Sequence, residues 1–463
     1  MELEGLKEVL TGVVLVYTFC SVGIAGLFTI MAYYHFKRYR HYKAFKQALV
    51  VEKGENIPVS IIVPAYNEAI TITSTIRSLL ASTYQQYEII IVDDGSTDDT
   101  LRVLVEAFQM KKIFKPTLKA IETQPVIEVY GSEQEGVNLI LIHKENGGKA
   151  DCLNAGINYA QYDIFVGIDA DCILQKDALK ELIVPFIENK QTLAVGGNIK
   201  IANDVTFKEG EIVAKQKPKN LLVGFQMLEY KRAFLTSRIG WDFMNMNLII
   251  SGAFGAFQKS AVIEVGGYKT KTIGEDMELV MRLHSHFLKE NRPYVIKQVA
   301  DATCYTQAPD TIRGLGTQRK RWQKGLIQSL FSHPQLFLSW RWFGAKLYYI
   351  LFELISPLIE IFGIVSLVVL SVLDLVDTIY VLKLYVFLLV ANAFVSIAAL
   401  LLEVYAFKEK NNEKVIGRLI LLSLIETMGY RQILSFYRLL GFLGHRKNGH
   451  KWGEIKRKAI KEL

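Results

Sequence analysis

The chain has 463 residues, of which 51% are hydrophobic and 22% charged, and its formal net charge is +8. This composition excludes a disordered, collagenous or disulfide-scaffold protein. The four cysteines form no CxxC or CxxxC pair, so neither a zinc cluster nor a disulfide framework is indicated. A basic, apolar chain binds nucleic acid or a membrane, and the distribution of its apolar residues decides between the two.

The first predicted element is an N-terminal transmembrane helix, taken as 1–36. Residues Val9–Phe36 contain no Asp, Glu, Lys or Arg. At about 1.5 Å per residue they are long enough to cross a hydrocarbon core of roughly 30 Å. A lipid bilayer is therefore an expected partner, and nucleic acid is not. By the positive-inside rule, the basic residues that follow predict a cytoplasmic flank: Lys37, Arg38, Arg40, Lys43 and Lys46.

Residues 37–341 alternate strand-like and helix-like segments, which predicts a cytoplasmic α/β domain with a mostly parallel sheet and flanking helices. Residues 110–137 interrupt this alternation and are interpreted as an insertion whose role the sequence does not show. Strands are predicted at Val59–Val63, Glu88–Val92, Leu139–His143 and Asp163–Ile168, and helices at Ile70–Leu80, from Thr97 onward, and at Ala150–Ala160.

Acidic residues follow three of these strands, as Glu68, as Asp93 and Asp94, and as Asp169 and Asp171. Ligands of open α/β sheets bind at the carboxyl ends of the strands. Neither GxGxxG nor GxxxxGK[ST] occurs, so a dinucleotide fold or a P-loop is not supported. Carboxylates can bind a polyphosphate through a divalent cation, which takes oxygen ligands and neutralises phosphate charge, so a divalent cation is predicted. Asp169 and Asp171 point to the same side of an extended chain. For Asp93 and Asp94 the alternative is helix capping and turn formation.

Four further motifs are candidates for functional roles, and three of them also have a structural interpretation. Gly147-Gly148-Lys149 opens a helix, where free N–H groups and a cation form an anion site. Ser251-Gly252-Ala253 lies in a low-charge stretch that core packing also explains. Glu275-Asp276 precedes a helical pattern, so helix capping is its alternative. The alternative for Gln318-Arg319-Lys320-Arg321-Trp322 is a basic, aromatic membrane-interface anchor.

Apolar sequence returns over 342–443, which is predicted to form transmembrane and interfacial or re-entrant helices. Segment Leu347–Leu373 is long enough to span, but it contains Glu353 and Glu360 on one helix face. Either these carboxylates face the interior of a helix bundle, or an interfacial helix ends at Pro357 and a short span follows.

The remaining C-terminal segments differ in their apolar character. Leu384–Leu402 is predicted to be a transmembrane span with fewer polar interruptions than Leu347–Leu373. Val415–Leu443 carries several charges and is divided by Gly429, so it is predicted to be a re-entrant or interfacial pair of helices. The basic tail, 444–463, is predicted to be cytoplasmic.

Together and in this order, the motifs resemble those of the processive membrane glycosyltransferases of family 2, which have the GT-A fold. Cellulose, chitin, hyaluronan and bacterial poly-N-acetylglucosamine synthases belong to this group. The single N-terminal span is closer to the poly-N-acetylglucosamine and exopolysaccharide synthases. The matching segments are PAYNE (Pro64–Glu68), VDDGSTDDT (Val92–Thr100), NGGKADCLNAG (Asn146–Gly156), DAD (Asp169–Asp171), SGAFGAF (Ser251–Phe257), GEDMEL (Gly274–Leu279) and QRKRW (Gln318–Trp322).

The resemblance implies a donor site and a metal site. Asp94, with Asp93, looks like the uridine-binding carboxylate, and Lys149 looks like a diphosphate contact. Glu68 and Asp169 belong to the same nucleotide-sugar set. Asp169 and Asp171 look like the metal-binding pair, with Asp171 the direct ligand of Mg²⁺ or Mn²⁺.

The resemblance also implies a catalytic and acceptor side. Asp276 looks like the general base, and Ser251 and Gly252 like acceptor contacts. Three residues of the QRKRW segment resemble the QxxRW element of the family, with the arginine facing the diphosphate and the tryptophan stacking on the acceptor sugar: Gln318, Arg321 and Trp322.

The activity implied is metal-dependent, inverting transfer from a UDP-sugar, specifically a UDP-N-acetylhexosamine, to a growing β-linked exopolysaccharide. One base and one direct displacement invert the anomeric carbon, and no nucleophilic carboxylate is required, unlike in a retaining glycosidase. The implied location is the bacterial cytoplasmic membrane, with export of the polymer through the chain's own helices. The small number of spans leaves room for an accessory membrane or secretion subunit.

Two other interpretations stay open at this point. A non-processive enzyme of the same fold would build a lipid-linked sugar or a glycolipid. A catalytically silent subunit would act as a scaffold in a polysaccharide secretion complex.

Overall fold

The computed structural model describes residues 2–52, 57–208, 210–407, 413–444 and 461–462. A long N-terminal helix precedes an α/β domain, and apolar helices follow it. The strands are β1 (Val59–Ala65), β2 (Tyr87–Asp93), β3 (Lys111–Lys112), β4 (Val126–Gln134), β5 (Val137–Lys144), β6 (Ile164–Ile168), β7 (Ile173–Leu174), β8 (Thr192–Ile201), β9 (Val205–Lys208), β10 (Glu211–Lys215), β11 (Phe254–Gln258), β12 (Val295–Thr306) and β13 (Lys461–Glu462).

The helices lie on both faces of the sheet and at the two ends of the chain. They are α1 (Glu2–Glu52), α2 (Ile72–Leu80), α3 (Thr100–Ala107), α4 (Lys149–Tyr159), α5 (Ala178–Glu188), α6 (Leu221–Arg232), α7 (Arg238–Phe243), α8 (Lys259–Glu264), α9 (Glu275–Lys289), α10 (Ile312–Ser332), α11 (Phe343–Tyr348), α12 (Ser356–Val372), α13 (Thr378–Phe407), α14 (Glu413–Ile425) and α15 (Tyr430–Leu443). Short 3₁₀ and π-helical turns occupy Ala233–Ser237, Pro334–Leu338, Trp340–Trp342 and Tyr349–Leu354.

Ten strands form one mixed sheet in the order β3-β4-β5-β2-β1-β6-β11-β8-β12-β7. The central strands β5, β2, β1 and β6 are parallel, and β8 is parallel to β12. Strands β4, β7 and β11 run antiparallel to their neighbours. The predicted α/β class with flanking helices is confirmed, and its parallel part is the centre of the sheet.

The predicted strands form where continuous apolar runs can be buried on both faces. Every residue of β1 is buried, and one face of the sheet packs against Ile72 of α2 and Leu179 of α5. The other face packs against Leu153 of α4 and Val280 of α9. Each predicted strand lies within two residues of its observed bounds.

The insertion at 110–137 forms an antiparallel edge of this sheet, because β4 pairs with β5. Lys115 Nζ of the insertion lies 3.3 Å from Glu88 Oε2, and Glu88 is 1% exposed within β2. The other oxygen of Glu88 accepts from the Ser60 hydroxyl at 2.7 Å and from the Gln161 N–H at 2.8 Å. The insertion therefore covers the edge of the parallel core and is anchored by an ion pair.

Helix α9 begins directly against α10. The Ile273 N–H donates to Gln328 Oε1 at 2.9 Å, and a Cβ placed on Gly274 would lie 3.0 Å from the Gly325 Cα. One turn further along α9, the fully buried Glu278 binds Arg282 of the same helix and two groups from other segments, Lys269 and His333. These contacts fix the start of α9 relative to the middle of α10.

Two helical segments are long and apolar enough to cross a membrane, Thr11–Arg40 and Thr378–Phe407. Two bent helix pairs meet the same test jointly, Trp340–Leu354 with Ser356–Val372 at 51° and Glu413–Ile425 with Tyr430–Leu443 at 65°. The described residues thus contain two such helices, or up to four spans if each bent pair crosses once. The predicted division of 415–443 into two helices at Gly429 agrees with the second bend.

The bend before α12 follows from Pro357 at its first turn, a position that proline favours. Glu360 accepts from the Tyr17 hydroxyl of α1 at 3.5 Å, and Glu353 lies 3.3 Å from Arg438 of α15. Both carboxylates therefore face neighbouring helices, which favours the bundle-interior interpretation of this segment.

Helix α1 continues past the predicted end of the span at Phe36 as far as Glu52. Lys37, Arg38 and Arg40 are exposed on it. The side chains of Lys43 and Lys46 lie outside the described residues, as do 445–460 of the basic tail.

Candidate active site

The carboxyl ends of the central strands bring the predicted acidic residues to one edge of the sheet. Ala65 of β1, Asp93 of β2 and His143 of β5 are adjacent in the strand register. The Asp94 N–H donates to the Ala65 carbonyl at 2.9 Å, and Asp169 directly follows β6. This convergence is what a parallel sheet produces when each of its strands ends in a carboxylate.

Asp94 is fully buried and closes the loop that leads into α4. Its Oδ1 accepts from Lys144 Nζ at 2.8 Å and from the Gly147 N–H at 2.9 Å, and its Oδ2 accepts from the Gly148 N–H at 2.7 Å. The N–H groups that were expected to be free at the start of α4 therefore bind the chain's own carboxylate. Asp94 positions the loop that carries Lys149.

Asp93 and Glu68 are also held by neighbouring groups. Asp93 is fully buried, and its Oδ2 lies 2.6 Å from His143 Nδ1. Glu68 Oε2 accepts from the Thr71 hydroxyl at 2.8 Å, at the start of α2. The contacts of Asp93 fit the turn alternative given for Asp93 and Asp94, and the donor roles of Asp93, Asp94 and Glu68 stay predictions.

Lys149 connects the sheet edge to the loop before β11. Its Nζ lies 2.5 Å from Asp169 Oδ1 and donates to the Gly252 carbonyl at 3.2 Å. The Gly252 N–H in turn donates to Asp276 Oδ2 at 3.0 Å. Asp169, Lys149, Gly252 and Asp276, which come from different elements of the chain, therefore form one continuous chain of polar contacts.

Gly252 can make both contacts because it has no side chain. A Cβ at this position would lie 3.0 Å from Lys149 Nζ and 3.5 Å from Asp276. Ser251, beside it, is half-buried, and its hydroxyl oxygen accepts from the Ala253 N–H at 3.4 Å. Ile250 and Phe254 of this stretch are buried in the core, and the acceptor role of Ser251 and Gly252 stays a prediction.

Electrostatic interactions around Lys149 favour its charged form, and the pKa of the neighbouring Glu275 is raised. Burial opposes the charge of the Lys149 ammonium, but Asp169 and Glu275 outweigh burial and raise the pKa of Lys149. Burial, together with the Asp276 carboxylate, raises the pKa of Glu275 to about 7 against the opposing effects of Lys149 and Arg321. The sequence analysis did not select Glu275 as a functional residue. Burial is the main cause of its raised pKa.

The QRKRW motif lies in α10, and its two arginines have different environments. Arg319 is 4% exposed and donates to Glu229 at 2.6 and 3.0 Å. Its guanidinium lies 4.4 Å from the Trp322 ring centroid, and the indole is still 43% exposed. Arg321 is exposed. Gln318 is buried, and its Oε1 has no hydrogen-bond partner among the described residues.

Arg238 is a second residue of this region that the sequence interpretation missed. Its guanidinium lies 3.9 Å from the Phe234 ring centroid, and its Nη1 is buried without a partner among the described residues. Burial lowers the pKa of Arg238 to about 10, although Tyr349 and Asp276 oppose this shift. No motif marks this residue, and only the folded chain brings its charge near Asp276.

The residues after β6 suit a divalent cation. Asp169 and Asp171 offer carboxylate oxygens, the ligands that Mg²⁺ and Mn²⁺ take. The Asp169 side chain is 31% exposed, whereas Asp171 is 3% exposed. A different acidic group, Glu264 and Glu290 with His286, brings its ligand atoms within 4.8 Å of one another, but Arg292 already forms ion pairs with both glutamates.

Two protein-family models match this chain. Residues 60–255 match the model described as glycosyl transferase family 2. Residues 164–401, more than half of the chain, match the model described as glycosyl transferase family group 2.

Curated relatives are similar over most of the chain. The poly-beta-1,6-N-acetyl-D-glucosamine synthase of Staphylococcus aureus strain COL is 30% identical over 305 residues, which cover 65% of this chain and 63% of that relative. The chain thus spans less than two thirds of the length of these relatives. The Staphylococcus epidermidis synthase of the same name is 28% identical over 397 residues, 83% of this chain and 84% of the relative.

Among solved structures, a mannosyltransferase from Pyrobaculum calidifontis in complex with GDP-mannose and Mn²⁺ is similar to this chain. The two are 16% identical, with a TM-score of 0.49, and the match covers 94% of this chain and 99% of the mannosyltransferase.

Proposed function

Because the chain belongs to glycosyl transferase family 2, we propose that it is a membrane-bound, inverting glycosyltransferase that extends a β-linked exopolysaccharide from a UDP-sugar. The observation that carries this proposal is the contact chain from Asp169 through Lys149 and Gly252 to Asp276. It brings the Lys149 ammonium, beside Asp169, and the Asp276 carboxylate to the same glycine.

The donor side would hold the diphosphate of the UDP-sugar. Lys149 offers a charged amine at the sheet edge, and Arg321 is exposed on α10. Both would attract the diphosphate and stabilise the charge that develops as UDP leaves. Mg²⁺ or Mn²⁺, held by Asp169 and Asp171, would supply further neutralisation of that charge when bound.

Asp276 would act as the general base. The hydroxyl oxygen of the acceptor sugar attacks the anomeric carbon, the bond from that carbon to the diphosphate oxygen breaks, and UDP leaves with the electron pair. The hydroxyl proton passes to the Asp276 carboxylate. This single displacement converts an α-linked UDP-sugar into a β-linked product. The Gly252 N–H holds the carboxylate in place for this transfer.

The acceptor would lie beside Trp322, since an exposed indole face suits the apolar face of a sugar ring. The names of the staphylococcal relatives support UDP-N-acetylglucosamine as the donor and a growing poly-N-acetylglucosamine as the acceptor. Ser251 and Gly252 belong to the same acceptor side of the proposal.

The proposed location is the bacterial cytoplasmic membrane, with several spans and with 37–341 on the cytoplasmic side. The two long apolar helices support membrane association, and the exposed basic residues after Phe36 support a cytoplasmic flank. Export of the polymer through the chain's own helices, and an accessory membrane or secretion subunit, belong to the same proposal.

The deciding experiment measures UDP release from the purified full chain in lipid nanodiscs, with each UDP-sugar in turn and with Mg²⁺, Mn²⁺ or a chelator. We expect release with UDP-N-acetylglucosamine and a metal, and a long water-soluble polymer whose anomeric protons report β-linkages by NMR. A short, organic-extractable product would favour the glycolipid alternative. Absence of release with every donor would favour the scaffold alternative and reject the transferase.

A further inference from the structure

The exposed indole of Trp322 has a cation on one of its faces. Arg319 precedes Trp322 by three residues in α10, so the two side chains are neighbours on the helix surface. The Arg319 guanidinium lies over the indole ring, 4.4 Å from its centroid. A guanidinium at this distance is in contact with the ring and covers that face. A sugar that stacks on Trp322 must therefore use the opposite face.

Arg319 is held in place by a carboxylate of another helix. It is buried, and its Nη1 and Nη2 donate to the two oxygens of Glu229 in α6 at 2.6 and 3.0 Å. Two parallel hydrogen bonds between planar groups fix the orientation of the guanidinium as well as its position. The plane that the indole packs against is therefore set by α6 and not by α10 alone.

Glu229 is itself anchored by α15. Its Oε2 also accepts from the hydroxyl of Tyr430 at 2.7 Å, and Tyr430 is the buried first residue of α15. The Tyr430 ring stacks on Phe225 of α6, with 5.0 Å between the ring centroids. Helix α15 also packs closely along α10, since a Cβ on Gly316 would overlap the ring of Tyr437. Contacts from α6 and α15 thus converge on the guanidinium beside Trp322.

These contacts give the two arginines of the QRKRW motif separate tasks. Both Nη atoms of Arg319 bind Glu229, so a contact with the donor diphosphate would require this buried ion pair to break. Breaking a buried ion pair is costly because it leaves a charge without its partner. Arg321, in contrast, is exposed. The diphosphate contact of the proposed function therefore suits Arg321, and the environment of Arg319 requires another explanation.

We propose that Arg319 is a positioning residue for the acceptor, which holds the indole of Trp322 by one face and presents the other face to the acceptor sugar. This inference rests on the proposed function, in which the acceptor stacks on Trp322. An indole that is held before binding loses little rotamer freedom when the sugar arrives, so acceptor binding is strengthened. Arg319 touches neither the donor nor the reacting atoms and acts through Trp322.

The test replaces Arg319 by lysine, which keeps a buried positive charge opposite Glu229 but loses the planar fork. A single ammonium cannot bind both carboxylate oxygens and cover the indole at the same time. Arg313→Lys is the matched control, because it makes the same change at an exposed position of the first turn of α10.

UDP release by the full chain in lipid nanodiscs is measured with saturating UDP-N-acetylglucosamine and a varied concentration of acceptor. The acceptor probe is a β-1,6-linked N-acetylglucosamine oligosaccharide, whose linkage is the one in the names of the staphylococcal relatives. Titration calorimetry gives the affinity for UDP, and thermal unfolding shows whether each variant is folded.

We expect Arg319→Lys to raise the KM for the oligosaccharide about fivefold, the cost of ordering one large side chain on binding. The kcat at saturating acceptor and the UDP affinity should stay within about twofold, since the donor side is untouched. Arg313→Lys should change none of these quantities.

Tyr430→Phe tests the anchor of this arrangement. It removes the hydroxyl that binds Glu229 and keeps the ring that stacks on Phe225. The KM for the oligosaccharide should rise by about threefold, because Arg319 keeps its ion pair but Glu229 loses one hydrogen bond. Should Arg319→Lys not fold, Tyr430→Phe takes its place against the same control.

An unchanged acceptor KM in the folded variant would overturn the inference while leaving the proposed function standing. Equal losses in kcat and UDP affinity would also overturn it, because a general disturbance of the fold affects the donor and acceptor sides together. Absence of UDP release by the unmodified protein would reject the proposed function, and this inference with it.

Discussion

The Gly252 N–H donates to Asp276 Oδ2 at 3.0 Å. The carbonyl of the same glycine accepts from Lys149, which contacts Asp169. A single residue thus connects the proposed base to the proposed metal-binding edge, although Asp276 and Asp169 belong to distant segments. The distance between Asp276 and Asp169 therefore depends on the loop before β11 that contains Gly252.

Asp276→Asn is expected to abolish polymer formation, because the amide cannot accept the acceptor's proton. The loss in UDP release should be about 10²–10⁴-fold, the usual contribution of a positioned base. UDP affinity, measured by titration calorimetry, should stay within about twofold, since the amide preserves the shape of the side chain. Glu290→Gln, an exposed carboxylate at the other end of α9, is the control. Full activity of Asp276→Asn would reject the base assignment.

Asp171→Ala is expected to remove the metal dependence of donor binding. In the unmodified protein, Mn²⁺ should strengthen UDP binding about tenfold or more, since the cation neutralises the diphosphate. In the variant, UDP titrations with and without Mn²⁺ should coincide. Asp163→Ala is the matched control, because Asp163 is exposed at the opposite end of β6. A variant that keeps the Mn²⁺ effect would show that the cation is held elsewhere.

Gly252→Ala tests the close approach of Lys149. The added Cβ would lie 3.0 Å from Lys149 Nζ, so the amine must move by a few tenths of an ångström from its position beside Asp169. Loss of one charge-assisted contact should weaken UDP binding about tenfold while the chain stays folded. Gly417→Ala is the control, because a Cβ there meets no atom within 4 Å. Unchanged UDP affinity in Gly252→Ala would mean that Lys149 does not contact the donor.

Glu278 should make stability depend on pH in the acid range. Burial opposes its charge, but hydrogen bonds from His333 and Arg282 outweigh burial and lower the pKa of Glu278 to about 2. The folded-state pKa lies below the unfolded value, so the stabilisation is complete above about pH 4.5 and is lost as the pH falls towards 2. It corresponds to about 3 kcal/mol.

Glu278→Gln should therefore lower the unfolding temperature at pH 7, and its difference from the unmodified protein should shrink below about pH 4.5. Thermal unfolding in detergent at several pH values measures both effects. Glu106→Gln, which changes an exposed carboxylate of α3, is the control and should show neither. A difference that stays constant with pH would contradict the coupling of Glu278 to His333 and Arg282.

The centre of the sheet could be predicted because its strands are continuous apolar runs. The run Val59–Val63 can only be buried on both faces, and β1 is buried throughout. Strand β8 was not predicted, since Gly196 and Gly197 interrupt its apolar pattern. The role of the insertion depends on the long-range pair of Lys115 with Glu88, which no local pattern reveals.

The environment of Asp94 could not be predicted from its motif. The sequence shows a carboxylate after β2 and two glycines before α4. It does not show that the N–H groups of these glycines donate to the Asp94 carboxylate. The two arginines of QRKRW present the same difficulty. They are two residues apart in a helix, so they point in different directions, and packing alone selects Arg319 for burial against Glu229.

The contact between Gly274 and Gly325 has a consequence for engineering. Since the two backbones touch without an intervening side chain, the start of α9 and the middle of α10 fit only as a matched set. A chimaera could take α9 from one relative and α10 from another. If either relative has a larger residue at position 274 or 325, the two helices would be pushed apart, and Asp276 would move away from Trp322. Exchange of the whole block from Gly274 to Ser332 preserves both surfaces, so chimaeras of this region are better made by transplanting it intact.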